Sequence, residues 1–578
     1  MQRQNLELKR PARVYLISTV IGGMISIPQV ALFAVILLRA SYTWMLVNFA
    51  LQIISVIVAL YIVNRKCNTA YKLAWCVCIL ILPLLGGAFY IVARSRQKYK
   101  SLRRKHDRVL RDILTEMNKE VDTSVAYRAD MVKASQQTTQ PPSTTSPPPS
   151  AEGGLVQPTS CNDSPLPWKG VPVRAGVVPS RLTTYLARCG FPTHVESTPT
   201  FFPTGESMYE DLLDKLRRAE RFIFLEFFII RTGIMWDGVR TILEQKAAED
   251  VDVRLIYDGF GSMKTLPHKY HKELRKMGIK TQVFRPFVPV VTTIQNNRNH
   301  RKIVIIDGEW AYTGGINLSD EYINQYDRCG HWKDAGIRVE GNSVTSFTRM
   351  FLEMWYMDAP YDADMRKFFV ANRESSVGAL LGAPAGRASA SPTEPPPSHV
   401  TPYSYSPLDR EEVAKNVYLE MIFAARRYLY IATPYLIPGS EILAALKLAA
   451  ASGVDVRMIT PRIGDKGYMQ VATRSNYLEL VAAGVRVYEY NPGFIHSKYF
   501  VIDDSCATVG TVNLDYRSLF LNYECGVVVE CSDFAAEIKN DFVTTLEQCT
   551  EITPDMARSK GWLHRMAVGV LRLFEPML

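Results

Sequence analysis

The chain holds ten cysteines among its 578 residues, yet none forms a Cys-x-x-Cys pair and none has metal-ligand spacing. Zinc is therefore not indicated, and scattered reduced thiols are the default reading, with Cys76 and Cys78 inside an apolar stretch. Histidine is scarce, at nine copies. Two of these, His268 and His271, fall in the Lys-rich stretch from Lys264 to Lys280, which reads as a solvated helix face rather than a metal site. The net charge of +10 could suit nucleic acid, but no recognised nucleic-acid module accompanies it. It suits an anionic membrane surface and acidic phospholipid headgroups. No metal, no cofactor and no nucleic-acid partner is expected.

What the chain does have is a repeated pattern. His300-Arg-Lys302, with Asp307 after four further residues, recurs as His496-Ser-Lys498 with Asp503. Each copy is followed by a Gly-rich turn and an asparagine: Gly314-Gly-Ile-Asn317 and Gly510-Thr-Val-Asn513. The runs Ile303 to Ile306 and Tyr499 to Ile502 are β-branched or aromatic and of strand length. On a strand, residues two apart share a face, so His300 and Lys302 project together, as do His496 and Lys498. Asp307 with Gly308, and Asp503 with Asp504, read as turn residues. A second apolar run (Trp310 to Thr313, Cys506 to Val509) then returns Asn317 and Asn513 beside the paired His and Lys. Two imidazoles, two ammonium groups and two amides around one point can surround a phosphodiester. One histidine can attack phosphorus while the other protonates the leaving alkoxide, and Lys and Asn hold the non-bridging oxygens.

The duplication extends further. Ala219 to Glu226 parallels Ala425 to Ala432, and Val251-Asp-Val-Arg254 reappears identically as Val454-Asp-Val-Arg457. Gly278 to Pro286 corresponds to Gly484 to Pro492. Helical patterns such as Tyr209 to Glu220 and Glu441 to Ala451 alternate with apolar strands, which is an α/β layout with a largely buried mixed sheet in each half.

These motifs resemble the HKD signature of the phospholipase D superfamily, and the wider pattern resembles bacterial cardiolipin synthases. The closer match is carried by Tyr257-Asp-Gly-Phe-Gly-Ser262, Asn297-Arg-Asn-His-Arg-Lys302, Gly314 to Tyr322, Thr433-Pro-Tyr-Leu-Ile-Pro438 and Gly510 to Ser518 with Leu521-Asn-Tyr-Glu524. The resemblance implies two tandem α/β/α half-domains sharing one active site. It implies a metal-free phosphatidyl transfer between two phosphatidylglycerols, through a phosphohistidine, giving cardiolipin and glycerol. By family habit His300 is the nucleophile and His496 the general acid and base, although the sequence alone does not order them. Asp307 and Asp503 count in the motif but look like turn-fixing groups. Glu524 and Asp334 resemble acids that orient the imidazoles. A membrane-bound phospholipase D hydrolase is the alternative, and a nuclease of the same superfamily a further one; an inactive scaffold is excluded because neither motif is broken.

The amino terminus carries three apolar stretches, Val14 to Leu38, Trp44 to Val63 and Leu73 to Val92, each at ~20 residues or more able to cross a hydrocarbon core. Residues 1–100 therefore read as an α-helical anchor of two to three spans in a bacterial cytoplasmic membrane. The cluster from Arg94 to Lys105 favours a cytoplasmic catalytic domain, while Lys9, Arg10 and Arg13 also favour an inside amino terminus; three spans cannot satisfy both. Residues 101–165 read as a basic, then Ser/Thr/Pro-rich linker, 166–375 as the first half and 376–407 as a Pro/Ser-rich insert. Residues 408–552 form the second half and 553–578 an amphipathic tail, with Trp562, Leu563, Met566, Val570, Leu573 and Phe574 on one face. Acceptor alcohol and oligomeric state are not legible.

Overall fold

The computed structural model describes residues 42–64, 69–81, 90, 100–117, 180–286, 293–369, 398–558 and 569. The first apolar stretch, the Ser/Thr/Pro-rich segment, most of the insert and most of the tail lie outside them.

Seven strands make the first sheet: β1 (Ser197–Phe202), β2 (Phe222–Phe227), β3 (Asp252–Asp258), β4 (Lys280–Phe284), β5 (Ile303–Ile306), β6 (Trp310–Gly314) and β8 (Gly336–Gly341). They lie in the order β1-β8-β6-β5-β2-β3-β4. The second sheet has eight: β9 (His399–Tyr405), β10 (Tyr428–Ala432), β11 (Asp455–Pro461), β12 (Arg486–Tyr490), β14 (Tyr499–Ile502), β15 (Cys506–Gly510), β16 (Glu524–Glu530) and β17 (Cys549–Glu551). Their order is β17-β12-β11-β10-β14-β15-β16-β9. The repeat read from the sequence is a repeat of pairing. β2 lies parallel to β3 and antiparallel to β5, and β10 lies parallel to β11 and antiparallel to β14. Every residue of β2, β5, β10 and β14 is buried, as mixed sheets covered on both faces require.

Two strands join the halves. β7 (His331–Lys333) of the first pairs in parallel with β13 (Gly493–Ile495) of the second, register Phe494 to Trp332. An isolated bridge links Asn299 to Tyr523. One continuous apolar core runs through both halves, from Phe222 and Ile305 to Phe500 and Val528.

The segment expected to open a linker at 101 starts instead as a helix. Residues 100–117 are helical, and their apolar face (Val109, Ile113, Leu114, Met117) joins that shared core. Ahead of it, helix Tyr42–Val63 packs on helix Thr69–Ile81, with Ile62, Trp75, Ile79 and Tyr90 buried between them. Among the described residues no helix is long and apolar enough to cross a membrane. Helix Tyr42–Val63 carries no charged residue. Phe49, Ile53, Ile54, Ile57 and Leu60 are exposed along it.

Candidate active site

Each motif histidine enters the site immediately before its strand, and each is delivered by a backbone bond to the opposite half. The His300 amide donates to the Tyr523 carbonyl at 2.9 Å, and the His496 amide donates to the Lys333 carbonyl at 2.6 Å. The side chains cross over as well. His300 Nδ1 meets Glu524 Oε2 at 2.9 Å, and His496 Nδ1 meets Asp334 Oδ2 at 2.6 Å. With Nδ1 engaged in both rings, Nε2 is the nitrogen each offers to a substrate. The two carboxylates occupy equivalent places, since Gly314 pairs with Gly336 on β8 as Gly510 pairs with Gly526 on β16.

The lysines are held close to their histidines. Lys302 Nζ donates to the His300 carbonyl at 2.7 Å, and Lys498 Nζ donates to the His496 carbonyl and lies 2.8 Å from His496 Nδ1. Both are buried. Aromatic rings line the histidines: Phe228 sits 5.0 Å from His300, and Trp332 and Tyr322 sit 5.3 Å and 5.5 Å from His496.

Burial dominates the electrostatics. It pulls His300 down to about 4, with Lys302 and Lys498 acting the same way against Glu524. His496 is pushed well below its usual range by burial and by Lys498, Lys302 and His300. Burial, offset by the carboxylates, brings Lys302 to about 7 and Lys498 to about 8. The carboxylates part company. Burial raises Asp334 to about 7 despite Lys498, whereas for Glu524 burial is outweighed by His300, Lys302 and the Thr511 hydroxyl, which hold it below its ordinary value. His300 is the main opposing influence at Glu524, and one local contact adds to it: Glu524 takes the Thr511 hydroxyl bond, while the matching position in the first copy is Gly315, where an added Cβ would lie 2.0 Å from Asp334 Oδ1. An ionised carboxylate only accepts, so His300 Nδ1 carries the proton and Nε2 keeps its lone pair.

Asp307 and Asp503, grouped with the catalytic residues by the motif, stand at the far ends of β5 and β14 and work on the backbone. Asp307 accepts from the amides of Glu220, Arg221 and Phe222 at 2.7, 2.8 and 2.8 Å. Asp503 accepts from Arg426, Arg427 and Tyr428 at 2.7, 2.8 and 2.9 Å. Both adopt positive φ, 55° and 52°, as the turn reading expects. They fix the register of each half and do not touch the imidazoles.

Asn317 and Asn513 lie at the histidine end of the sheets, as the β5–β6 and β14–β15 registers require. Asn317 accepts from the Ile229 amide and donates to the Tyr322 hydroxyl, and Asn513 donates to Asp515. Each donates one amide hydrogen in these bonds and has no second acceptor among the described residues. Sequence reasoning did not single out Thr511, Phe228, Tyr322 or Trp332. Thr511 was visible as a polar side chain where the other Gly-rich turn has Gly315; the aromatic rings reach the histidines only through the tertiary fold.

A family model described as cardiolipin synthase, PLD-like domain, matches residues 212–355 and 418–546. A cardiolipin synthase of Alkalihalophilus pseudofirmus is 35% identical over 388 residues, covering 67% of this chain and 73% of the relative. One of Geobacillus thermodenitrificans is 33% identical over 388 residues, covering 67% and 74%. An uncharacterized protein of Streptococcus mutans is 38% identical over 526 residues, covering 90% and 99%. Among solved structures, a phosphatidylserine synthase from Haemophilus influenzae matches 67% of this chain and 97% of its own with a TM-score of 0.50 at 13% identity, a likeness of fold. With two intact, cross-braced histidine–lysine sets and these relatives, the chain belongs to the cardiolipin synthase family of phospholipase D-like phosphatidyltransferases.

Proposed function

We propose that this enzyme joins two phosphatidylglycerols into cardiolipin and glycerol through a phosphohistidine. The observation that supports the order of events is that Glu524 holds both His300 Nδ1 and the Thr511 hydroxyl, whereas Asp334 has Gly315 at the matching position, and the electrostatics follow that contrast. Glu524 is held ionised beside His300, whereas Asp334 beside His496 is raised to about 7. His300 is therefore the better nucleophile and the His496–Asp334 pair the better proton store.

In the first step the His300 Nε2 lone pair forms a bond to phosphorus and the bond to the glycerol oxygen breaks. His496 gives that oxygen its proton. In the second step a glycerol hydroxyl of another phosphatidylglycerol gives its proton to His496 and attacks phosphorus, and the phosphorus–nitrogen bond breaks. Lys302, Lys498 and the uncommitted amide hydrogens of Asn317 and Asn513 hold the non-bridging oxygens throughout. A bound phosphodiester anion favours the charged form of both lysines, so substrate binding supplies the charge that burial withholds. No step is assigned to a metal.

The site belongs at a membrane. The apolar runs of the amino terminus and the exposed apolar face of helix Tyr42–Val63 support a multi-pass anchor in the bacterial cytoplasmic membrane. The basic cluster from Arg94 to Lys105 supports a cytoplasmic catalytic domain.

The test uses purified protein in detergent–phosphatidylglycerol micelles with EDTA, followed by mass spectrometry of lipids and glycerol. Cardiolipin with equimolar glycerol is expected. Phosphatidic acid with glycerol would make water the acceptor and overturn the transfer in favour of a hydrolase, and the absence of both lipid products would overturn the reading altogether.

A further inference from the structure

Helix 100–117 buries an ionisable side chain that the transfer chemistry does not use. His106 is 2% exposed and pairs with the Glu353 carboxylate on helix Val344–Trp355. Burial opposes both charges, yet Glu353 holds His106 up to about 10 and His106 holds Glu353 down to about 2. Arg301, Arg349 and Asp409 share this buried field.

The pair does not end at the helix. Arg301 is the middle residue of His300-Arg301-Lys302 and is fully buried. Its Nη1 donates to the carbonyl of Met350 at 3.2 Å, one turn before Glu353 on the same helix. Its Nε donates to the carbonyl of Glu524 at 3.3 Å, and the Glu524 carboxylate holds His300. Its Nη2 is buried without a hydrogen-bond partner among the described residues, and Glu353 and Glu226 supply neighbouring negative charge. A buried ion pair that only stabilised the fold would have no reason to meet the motif arginine and the acid that orients the nucleophile. Here one run of contacts passes from His106 through Glu353 and its helix to Arg301, Glu524 and His300.

We propose that His106 is a positioning residue for the transfer reaction: helix 100–117, seated through His106 on Glu353, fixes helix Val344–Trp355 and thereby Arg301, Glu524 and the His300 ring. The segment that follows the apolar stretches thus sets the rate at a site formed by the two distant halves. The inference rests on the phosphatidyl-transfer reading above.

The test compares the full chain, wild type and variants, in phosphatidylglycerol micelles, measuring kcat, KM and the unfolding temperature. His106→Gln removes the cation and is expected to lower kcat roughly tenfold with KM unchanged, while the protein stays folded at the assay temperature. His106→Lys restores a cation facing Glu353 and should recover most of kcat. Arg104→Gln, on the exposed side of the same helix, should match wild type. Arg301→Lys probes the same path from its other end, and is expected to lower kcat without raising KM. Wild-type kcat in His106→Gln overturns the inference, as does a loss in His106→Gln and Arg301→Lys that only tracks the fraction unfolded. An inactive wild type contradicts the transfer reading and the inference with it, whereas an active wild type beside an unaffected His106→Gln overturns the inference alone.

Discussion

The Glu524 carboxylate of the second half accepts a hydrogen bond from His300 Nδ1–H in the first, at 2.9 Å. Neither half can orient its own histidine, so the duplicated motif works only as a pair. Glu524→Gln keeps the shape and removes the charge. It should lower kcat by about 10–100-fold with KM little changed, because the imidazole loses basicity while phosphate binding is retained. Steady-state kinetics on phosphatidylglycerol check this.

Burial of Lys302 works against the stability of the fold. Its ordinary value of 10.5 falls to about 7, with burial the main cause. Between these values the unfolded chain binds the proton and the native state does not. The penalty on folding is therefore full below the folded value and fades as pH rises toward the unfolded one. Lys302→Met should abolish transfer yet raise the unfolding temperature at neutral pH by at least ~2 °C, a gain that shrinks toward pH 10. Thermal unfolding at the two pH values, with an activity assay, gives the comparison; a lowered unfolding temperature at neutral pH would contradict it.

Asp307 predicts the opposite pattern. It is buried and satisfies three backbone amides at the start of β2. Asp307→Ala should cost about 2–4 kcal/mol of stability, since three donors lose a charged acceptor. The folded fraction should keep its turnover. Denaturant unfolding and activity per folded molecule separate this structural role from a catalytic one, and loss of turnover in fully folded protein would restore Asp307 to the active site.

Much of this was legible because two physical regularities coincide in one pattern. The apolar runs after each histidine demanded strands, and β5 and β14 are strands, with His, Lys and Asn gathered at one end. The turn chemistry of Asp307 and Asp503 was legible for the same local reason. Glu524 and Asp334 were legible only through the family resemblance, and which histidine each one holds was not. The pairing of β7 with β13 and the crossing of Glu524 to His300 and Asp334 to His496 are tertiary facts without a local signature. Helix 100–117 illustrates the other limit. Its run of arginines and lysines suggested a solvated connector, while the apolar spacing of Val109, Ile113, Leu114 and Met117 marked a buried face that charge concealed.

The covalent intermediate tests the central claim most directly. His496→Asn leaves His300 and Glu524 in place but removes the proton carrier of both steps, slowing formation of the intermediate and leaving the second lipid's hydroxyl without a base to resolve it. Incubated briefly with phosphatidylglycerol, quenched at alkaline pH where phosphohistidine survives, and mapped by peptide mass spectrometry, it should carry a phosphatidyl group on His300. His300→Asn should carry none. An adduct on His496 in the His300→Asn variant, with none on His300 in its counterpart, would contradict the assignment of the nucleophile and reverse the roles of the two dyads.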